Sequence, residues 1–217
     1  MDPEEARIRK ELLDYGVKAY QTGLVTETEG NLSARVDKDR VLVTPSHTPY
    51  EMRTTEDMVL VDMEGNVLAG EKNPTVEHKM HLLVYKTRPE VGGILHAHPL
   101  YSSMLAVAWQ PLRPILDEMV PYLGGTVEVA GFAPSGSEEL AEIVVKTLGQ
   151  KSAVLLSNHG TLCTGKNLSR AFQVTKYVEK WAHIQILATL LDKANTIPES
   201  RQEQEAQYYE FMKEADW

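Results

Sequence analysis

The chain has 217 residues, enough for one sizeable hydrophobic core, and we expect a single domain spanning residues 1–217. Its 31 acidic residues outnumber the 22 basic ones and leave a formal net charge of −9, which argues against a nucleic-acid partner because such a surface needs a basic face. One cysteine allows no disulfide within the chain, and no segment has the roughly 20 apolar residues of a membrane span or the apolar core of a signal peptide, so we expect a cytoplasmic protein without a membrane partner.

The first third of the chain predicts a helix followed by two hairpins. Apolar residues recur at helical spacing over residues 3–23, and Gly23 is a suitable stop. Apolar and polar residues then alternate around Leu32, and a short charged turn leads to a β-branched strand at residues 41–43. Residues 58–70 read as a second hairpin with a glycine-containing turn.

The rest of the chain alternates predicted helices with short apolar strands. The predicted strands cover residues 91–99, 126–133 and 152–160. The predicted helices cover residues 75–88, 99–109, 137–149, 168–193 and 198–214, with Ser137 as a possible cap of the third. Because tight hairpins occur together with strands separated by helices, we predict a mixed α/β or α+β domain rather than a purely parallel sheet.

Two histidines end the apolar segment ILHAHP. Residues two apart on a strand face the same side, about 6 to 7 Å apart at their Cα atoms, so His96 and His98 can both reach one ion. Alone, the pair fits two histidines at a polar strand end equally well. A catalytic Zn²⁺ usually takes three protein ligands, and His159, at the end of SAVLLSNHG, can complete the set if its strand is a neighbour. Zinc is favoured by three imidazoles, and Mn²⁺ or Co²⁺ fit the same donors.

A carboxylate is also needed for chemistry, and Glu77 directly precedes the helix that leads into ILHAHP. It could be a fourth metal ligand in the resting enzyme and a general base once substrate displaces it. Taken alone, Glu77 is more typical of a first-turn glutamate that complements the helix dipole. His78, His81 and His183 lie within predicted helices and fit core or surface positions better than a metal site.

Two loops carry residues suited to anion binding. In the segment GNLS, Gly30 permits close backbone approach, and Asn31 adds a side-chain amide. The segment TPS contributes Ser46 in the same way. Each loop taken alone fits an ordinary turn before a strand.

Taken together, these segments resemble the class II aldolase/adducin family. TEGNLSAR, VTPSHTPYEM, PTVEHKMHLLVYKTRPEVGGILHAHPLYSSMLAV and LLSNHG occur in the family's order and at its spacing, from about residue 5 to about residue 210. The resemblance implies a central, mainly antiparallel sheet flanked by helices, and a homotetramer with active sites at subunit contacts. It implies a zinc-type site at His96, His98 and His159, with Glu77 as the catalytic acid/base and a resting-state ligand. It also implies a substrate phosphate held by Gly30, Asn31, Ser46, His47, Thr75 and Val76.

The resemblance further implies a lyase that reversibly cleaves a small ketose 1-phosphate, such as fuculose 1-phosphate, to dihydroxyacetone phosphate and an aldehyde. The metal would act as a Lewis acid that stabilises an enediolate, and in the reverse direction Glu77 would remove a proton from C1 of dihydroxyacetone phosphate. The same chemistry serves three alternatives: dehydration of a methylthioribulose-type phosphate, decarboxylation of a keto acid phosphate, and 4-epimerisation. A non-catalytic, adducin-like interaction domain is a fourth.

The sequence departs from the family pattern at three places. The phosphate segment reads Ser46-His47 where a glycine often follows the hydroxyl residue, and Val76 stands where a serine often precedes the glutamate. Glu118 occupies the region where the aldolases carry a second acid. Tyr209, near the C-terminus, could instead supply a mobile phenol as a catalytic acid, or it could simply pack at the end of the last helix.

Overall fold

The structure is a computed structural model that describes residues 2–192 and 194–214. Within these residues, one eight-stranded sheet is flanked by seven α-helices. The strands are β1 (Asn31–Arg35), β2 (Arg40–Val43), β3 (Val59–Asp62), β4 (Val67–Ala69), β5 (Gly93–Ala97), β6 (Val129–Ala130), β7 (Ala153–Leu156) and β8 (Gly160–Gly165). The helices are α1 (Pro3–Gln21), α2 (His78–Thr87), α3 (Leu100–Val107), α4 (Met119–Leu123), α5 (Glu138–Leu148), α6 (Leu168–Leu190) and α7 (Glu199–Glu214).

The strand order is β4-β3-β2-β1-β5-β8-β7-β6. All neighbouring strands are antiparallel except β6 and β7, which are parallel. The predicted α/β class, with a mainly antiparallel sheet between helices, is therefore confirmed. The two predicted hairpins form the meander β1 to β4, and β5 then inserts between β1 and β8 at the centre of the sheet.

Side-chain alternation along β5 directs its residues to two different cores. Ile94 packs with α2 and α5 on one face of the sheet, whereas Leu95 and Ala97 pack with α1 and α6 on the other. His96 shares the face of Ile94 because side chains two apart on a strand point the same way. This register turns His96 toward the start of α2, where Glu77 lies.

The segment 152–160 is not the single strand that we predicted. Strand β7 ends at Leu156, the chain reverses through Asn158 in the left-handed region (φ 56°), and β8 begins at Gly160. On the side away from β1, the neighbour of β5 is therefore β8, a strand that the sequence pattern did not reveal. His159 lies in the turn between β7 and β8 rather than at the end of a single strand. A Cβ at Gly160 would lie 2.4 Å from the Ala97 carbonyl oxygen, so the close approach of β8 requires glycine there.

Other boundaries also differ from the predictions. The strand expected at residues 126–133 is reduced to Val129–Ala130, and the short helix α4 was not predicted. The helix expected over residues 75–88 begins only at His78. The residues before it run beside the loop that follows β2, where the Thr75 amide donates to the Thr44 carbonyl oxygen (3.0 Å) instead of starting a helix. The helix expected over residues 168–193 ends at Leu190, and its expected last residue lies outside the described part of the chain. No described helix combines the length and the apolar character needed to cross a bilayer.

Candidate metal centre

Three histidines from two parts of the chain meet at one end of β5. The rings of His96, His98 and His159 lie 4.7 to 4.8 Å apart by their centroids. One ligand nitrogen from each lies within 4.8 Å of the others. His96 is fully buried, and the other two are partly buried. Imidazole nitrogens in such a cluster are the donors of catalytic zinc sites, and the donor set therefore fits a divalent transition metal.

The hydrogen bond of His96 fixes which ring nitrogen can bind a metal. Its Nδ1 lies 3.0 Å from the Thr161 carbonyl oxygen, which can only accept, so Nδ1 carries the proton. Nε2 is then the nitrogen left to bind a metal, and it lies 2.9 Å from His98 Nε2. A backbone carbonyl that orients the opposite nitrogen in this way is typical of metal-ligating histidines.

The chain after His98 is held in place by α6. Helix α3 begins two residues later, and the Glu179 carboxylate accepts hydrogen bonds from the amides of Tyr101 and Ser102, both at 2.8 Å. The ring of His183, one turn further along α6, stacks on Tyr101 with centroids 3.7 Å apart. His183 therefore has a packing role outside the cluster.

Glu77 adds a buried carboxylate to the cluster. It is the N-cap residue of α2 and is only 4% exposed, but its side chain makes no capping hydrogen bond. Instead, Oε2 lies 3.1 Å from His96 Nε2, and Oε1 lies 3.3 Å from His159 Nε2. The Asn31 amide donates to Oε2 (2.9 Å), and the Ser135 hydroxyl donates to Oε1 (2.8 Å). The carboxylate thus faces the histidines rather than the helix end.

Burial and charge set the protonation states in this cluster. Burial raises the pKa of Glu77, but the charge of His96 and the hydrogen bonds from His96 and Asn31 outweigh it and hold that pKa far below its usual range. Burial lowers the pKa of His96, but the Glu77 carboxylate raises it by more, so the net shift is upward. Burial and the charge of His96 lower the pKa of His98 to about 3 and of His159 to about 4. These two imidazoles are neutral at pH 7, the form that ligates metals.

The loops predicted to bind phosphate converge beside Glu77. Gly30 has φ 68°, and a Cβ there would lie 2.6 Å from the His96 carbonyl oxygen. Thr75 is buried, and its amide bonds to the strand-end loop at Thr44. The Ser46 hydroxyl donates to the Pro74 carbonyl oxygen (2.8 Å). The structure therefore places three loops from distant parts of the chain around one carboxylate.

The remaining residues of the predicted pocket differ in exposure. Asn31 is buried beside Glu77, and its side-chain oxygen has no partner in the described structure. Val76 is 57% exposed, and His47 is exposed with φ 51°. Both point away from the packed interior.

The structure does not bring Glu118 or Tyr209 to the histidines. Glu118 is exposed at the N-cap of α4. Tyr209 is 4% exposed, and its hydroxyl donates to the Gln150 carbonyl oxygen (2.7 Å) and lies 3.0 Å from Ser152 Oγ. In the described residues, no hydrogen bond or ion pair joins either side chain to the cluster. The observed position of Tyr209 matches the packed aromatic end that the sequence also allowed.

Ser135 is the contact of Glu77 that sequence reasoning missed. The sequence predicts only a helix from residue 137 in this region, and Ser137 does cap α5 by accepting from the Leu140 amide (3.1 Å). Nothing in the local sequence distinguishes Ser135 from an ordinary loop serine. The adjacent Gly136 is the one signal available, because glycine permits a close backbone approach.

A family model described as the class II aldolase and adducin N-terminal domain matches residues 10–186 of this chain. The chain belongs to the class II aldolase and adducin family. The match spans the sheet, the three histidines and Glu77, so the family assignment and the geometry rest on the same residues.

Relatives within the family carry different activities. A 5-deoxy-D-ribulose 1-phosphate aldolase of Bacillus thuringiensis serovar kurstaki is 29% identical over 93% of this chain and 95% of its own length. A 3-oxo-tetronate 4-phosphate decarboxylase of Haemophilus influenzae is 35% identical over 81% of this chain and 86% of its own. A solved structure of an L-fuculose 1-phosphate aldolase superposes with a TM-score of 0.90 at 36% identity, covering 94% of this chain and 97% of that one.

Proposed function

We propose that this chain is a metal-dependent aldolase that reversibly cleaves a small ketose 1-phosphate to dihydroxyacetone phosphate and an aldehyde. The observation that carries this proposal is the Glu77 carboxylate, which is buried among three converging imidazoles and three anion-suited loops. Similarity to two sugar-phosphate aldolases supports the reaction class.

In this proposal, His96, His98 and His159 hold a zinc ion, and Mn²⁺ and Co²⁺ are the other candidates for the site. When bound, the ion supplies a Lewis acid that polarises the substrate carbonyl. Glu77 is the fourth ligand at rest, and its position 3.1 Å from His96 Nε2 supports that role.

Glu77 is also the proposed base. Its carboxylate is ionised and held by donors on both oxygens, so it can take a proton from the carbon next to the carbonyl and return it. Burial keeps bulk water from this carboxylate and favours return of the proton to the substrate carbon.

The substrate phosphate would bind where the loops meet. The loops of Gly30, Ser46 and Thr75 meet there. The Ser46 and Thr75 amides already donate to the Asn73 and Thr44 carbonyl oxygens, so the phosphate would take its hydrogen bonds from the Gly30 amide, the Thr75 hydroxyl and the second N–H of the Asn31 side-chain amide. At Val76 only the backbone amide can contribute, and the exposed His47 can add a ring donor from the rim.

Glu118 is the proposed second acid, which would protonate the aldehyde oxygen. Its side chain is exposed and lies apart from the cluster of its own chain, which supports delivery to the site of a neighbouring copy. We therefore retain the homotetramer with active sites at subunit contacts as part of the proposal. The contacts of Tyr209 support an anchoring role for that residue, which is the second of the two roles that the sequence allows, rather than that of a mobile catalytic phenol.

Decarboxylation of a keto acid phosphate is the second candidate function. It needs the same metal site and the same anion pocket, and the 35% identity to a 3-oxo-tetronate 4-phosphate decarboxylase favours it. Loss of carbon dioxide would then replace the cleavage that yields the aldehyde.

A product assay tests both candidates. Purified, zinc-loaded protein is incubated with fuculose 1-phosphate and 5-deoxyribulose 1-phosphate, and in parallel with 3-oxo-tetronate 4-phosphate. We expect dihydroxyacetone phosphate from at least one ketose 1-phosphate. Its absence from every ketose phosphate, together with carbon dioxide from the keto acid, would replace the aldolase by the decarboxylase. Absence of all products and of bound metal would support the non-catalytic, adducin-like alternative.

A further inference from the structure

The loop between β6 and α5 approaches the Glu77 backbone closely. Gly136 has φ 76°, and a Cβ at this position would lie 2.9 Å from the Val76 carbonyl oxygen. Any larger residue would push the loop away from Glu77. This packing places Ser135, which is otherwise exposed, with its hydroxyl 2.8 Å from Glu77 Oε1.

The two oxygens of Glu77 have matching surroundings. Oε2 accepts from the uncharged Asn31 amide and lies near His96, and Oε1 accepts from the uncharged Ser135 hydroxyl and lies near His159. An imidazole nitrogen that ligates a metal has no proton to donate. If His159 ligates a metal, it cannot donate to Glu77 Oε1. Among the contacts of the described residues, Ser135 is then the donor that remains for this oxygen.

On the basis of the proposed function, in which Glu77 is the base, we propose that Ser135 is a positioning residue that sets the orientation of the Glu77 carboxylate for proton transfer. One donor on each oxygen holds the carboxylate plane against rotation about its terminal torsion, which is otherwise broad. The proton moves between the substrate carbon and Glu77, and Ser135 keeps its own proton throughout.

Three variants test this role in the zinc-loaded protein. Ser135→Ala removes the donor, Ser135→Thr retains a hydroxyl, and Ser137→Ala is a matched control two residues along the same loop that removes the cap of α5 instead. We expect Ser135→Ala to lower kcat roughly tenfold or more with KM within about twofold of the wild type, because orientation affects the transition state rather than binding. Ser135→Thr should recover most of that kcat. Ser137→Ala should lower Tm and leave kcat unchanged.

Crystal structures of the metal-free wild type and Ser135→Ala give a second measurement that does not depend on turnover, in a state where no ion holds the Glu77 carboxylate. The expected result is a rotated Glu77 carboxylate in Ser135→Ala. A kcat within about twofold of the wild type in Ser135→Ala, or an equal loss in Ser135→Thr, would overturn the positioning role. If the wild type cleaves no sugar phosphate, the proposed function fails, but the crystal structures still test the role of Ser135. A Glu77 carboxylate that does not move in Ser135→Ala overturns that role, and a rotated carboxylate supports it.

Discussion

At the scale of single residues, the ionisation states of Glu77 and of the three clustered histidines depend on one another. Glu77 is buried and ionised, a state that costs several kcal/mol unless donors compensate it. Asn31 and Ser135 supply two uncharged donors, and the histidines supply the rest. Because the same histidine nitrogens are the candidate metal ligands, metal binding and the ionisation of Glu77 are linked.

His96→Ala should lose metal and activity together, because His96 is the buried imidazole whose tautomer is set by Thr161. We expect zinc affinity to fall roughly 100-fold or more, measured by competition with a chromogenic chelator. His183→Ala is the control, since its ring stacks on Tyr101 outside the cluster and zinc affinity should be retained. Equal zinc affinity in wild type and His96→Ala would contradict the assignment of this residue as a ligand.

Glu77→Gln should keep most of the metal but lose turnover. The amide is nearly isosteric with the carboxylate but cannot accept a proton from carbon, so we expect kcat to fall by about 10²- to 10⁴-fold. Metal content by elemental analysis and kcat by release of dihydroxyacetone phosphate are measured on the same preparation. A near-normal rate would refute the role of Glu77 as the base.

At the scale of elements, helix α2 is tied to the sheet by a buried polar contact. His81 on α2 lies with its Nδ1 2.7 Å from the hydroxyl of Ser33 on β1, and that hydroxyl lies 2.9 Å from the Tyr85 hydroxyl. All three side chains are buried. Since α2 begins directly after Glu77, this contact fixes the start of the helix relative to the strand beside His96.

The free energy of unfolding of metal-free protein should fall as the pH is lowered from 7 to 5, in part through His81. Burial and the charge of His96 lower the pKa of His81 from 6.5 to about 3. Between these values the unfolded state binds the proton and the folded state does not, so acid favours unfolding, by about 2 kcal/mol at pH 5. Thermal denaturation at several pH values measures this slope.

Comparison with His81→Gln isolates that contribution, because the other histidines remain in both proteins. The variant should show a shallower loss of Tm between pH 7 and 5. Parallel curves for the two proteins would mean that His81 is already able to take up a proton in the folded state.

At the scale of the whole molecule, no contact among the described residues joins the candidate second acid to the histidines of its own chain. Glu118 is exposed at the N-cap of α4, and the adjacent Asp117 pairs with Arg201 of α7. The ion pair between Asp117 and Arg201 therefore ties the start of α4, where Glu118 lies, to helix α7. An active site shared between copies of the chain is the arrangement in which this residue could act.

Mixing two inactive variants tests the shared site. Glu118→Gln and His96→Ala are unfolded together and refolded as a mixture, so that copies combine at random. If each site takes its histidines from one copy and Glu118 from another, about a quarter of the sites should be intact and activity should return. No recovery, in assemblies shown by sedimentation to be mixed, would place Glu118 outside the neighbouring site.

The sequence by itself determined the features that depend on spacing within one segment. The alternation of apolar residues predicted the two hairpins of β1 to β4. The two-residue spacing predicted that His96, on β5, and His98, one residue beyond its end, face the same ion. The order of the motifs also predicted the family. Such features are local, because the geometry of a strand or helix sets which of its own residues share a face.

Only the tertiary structure decided the features that join distant segments. It placed His159 in a turn beside a strand that was not predicted, turned Glu77 inward from the end of α2, and brought Ser135 to its carboxylate. It also bound the Tyr209 hydroxyl to Gln150. These contacts depend on strand order and on close approaches at Gly136 and Gly160, which arise from packing between segments and leave no periodic signal in the chain.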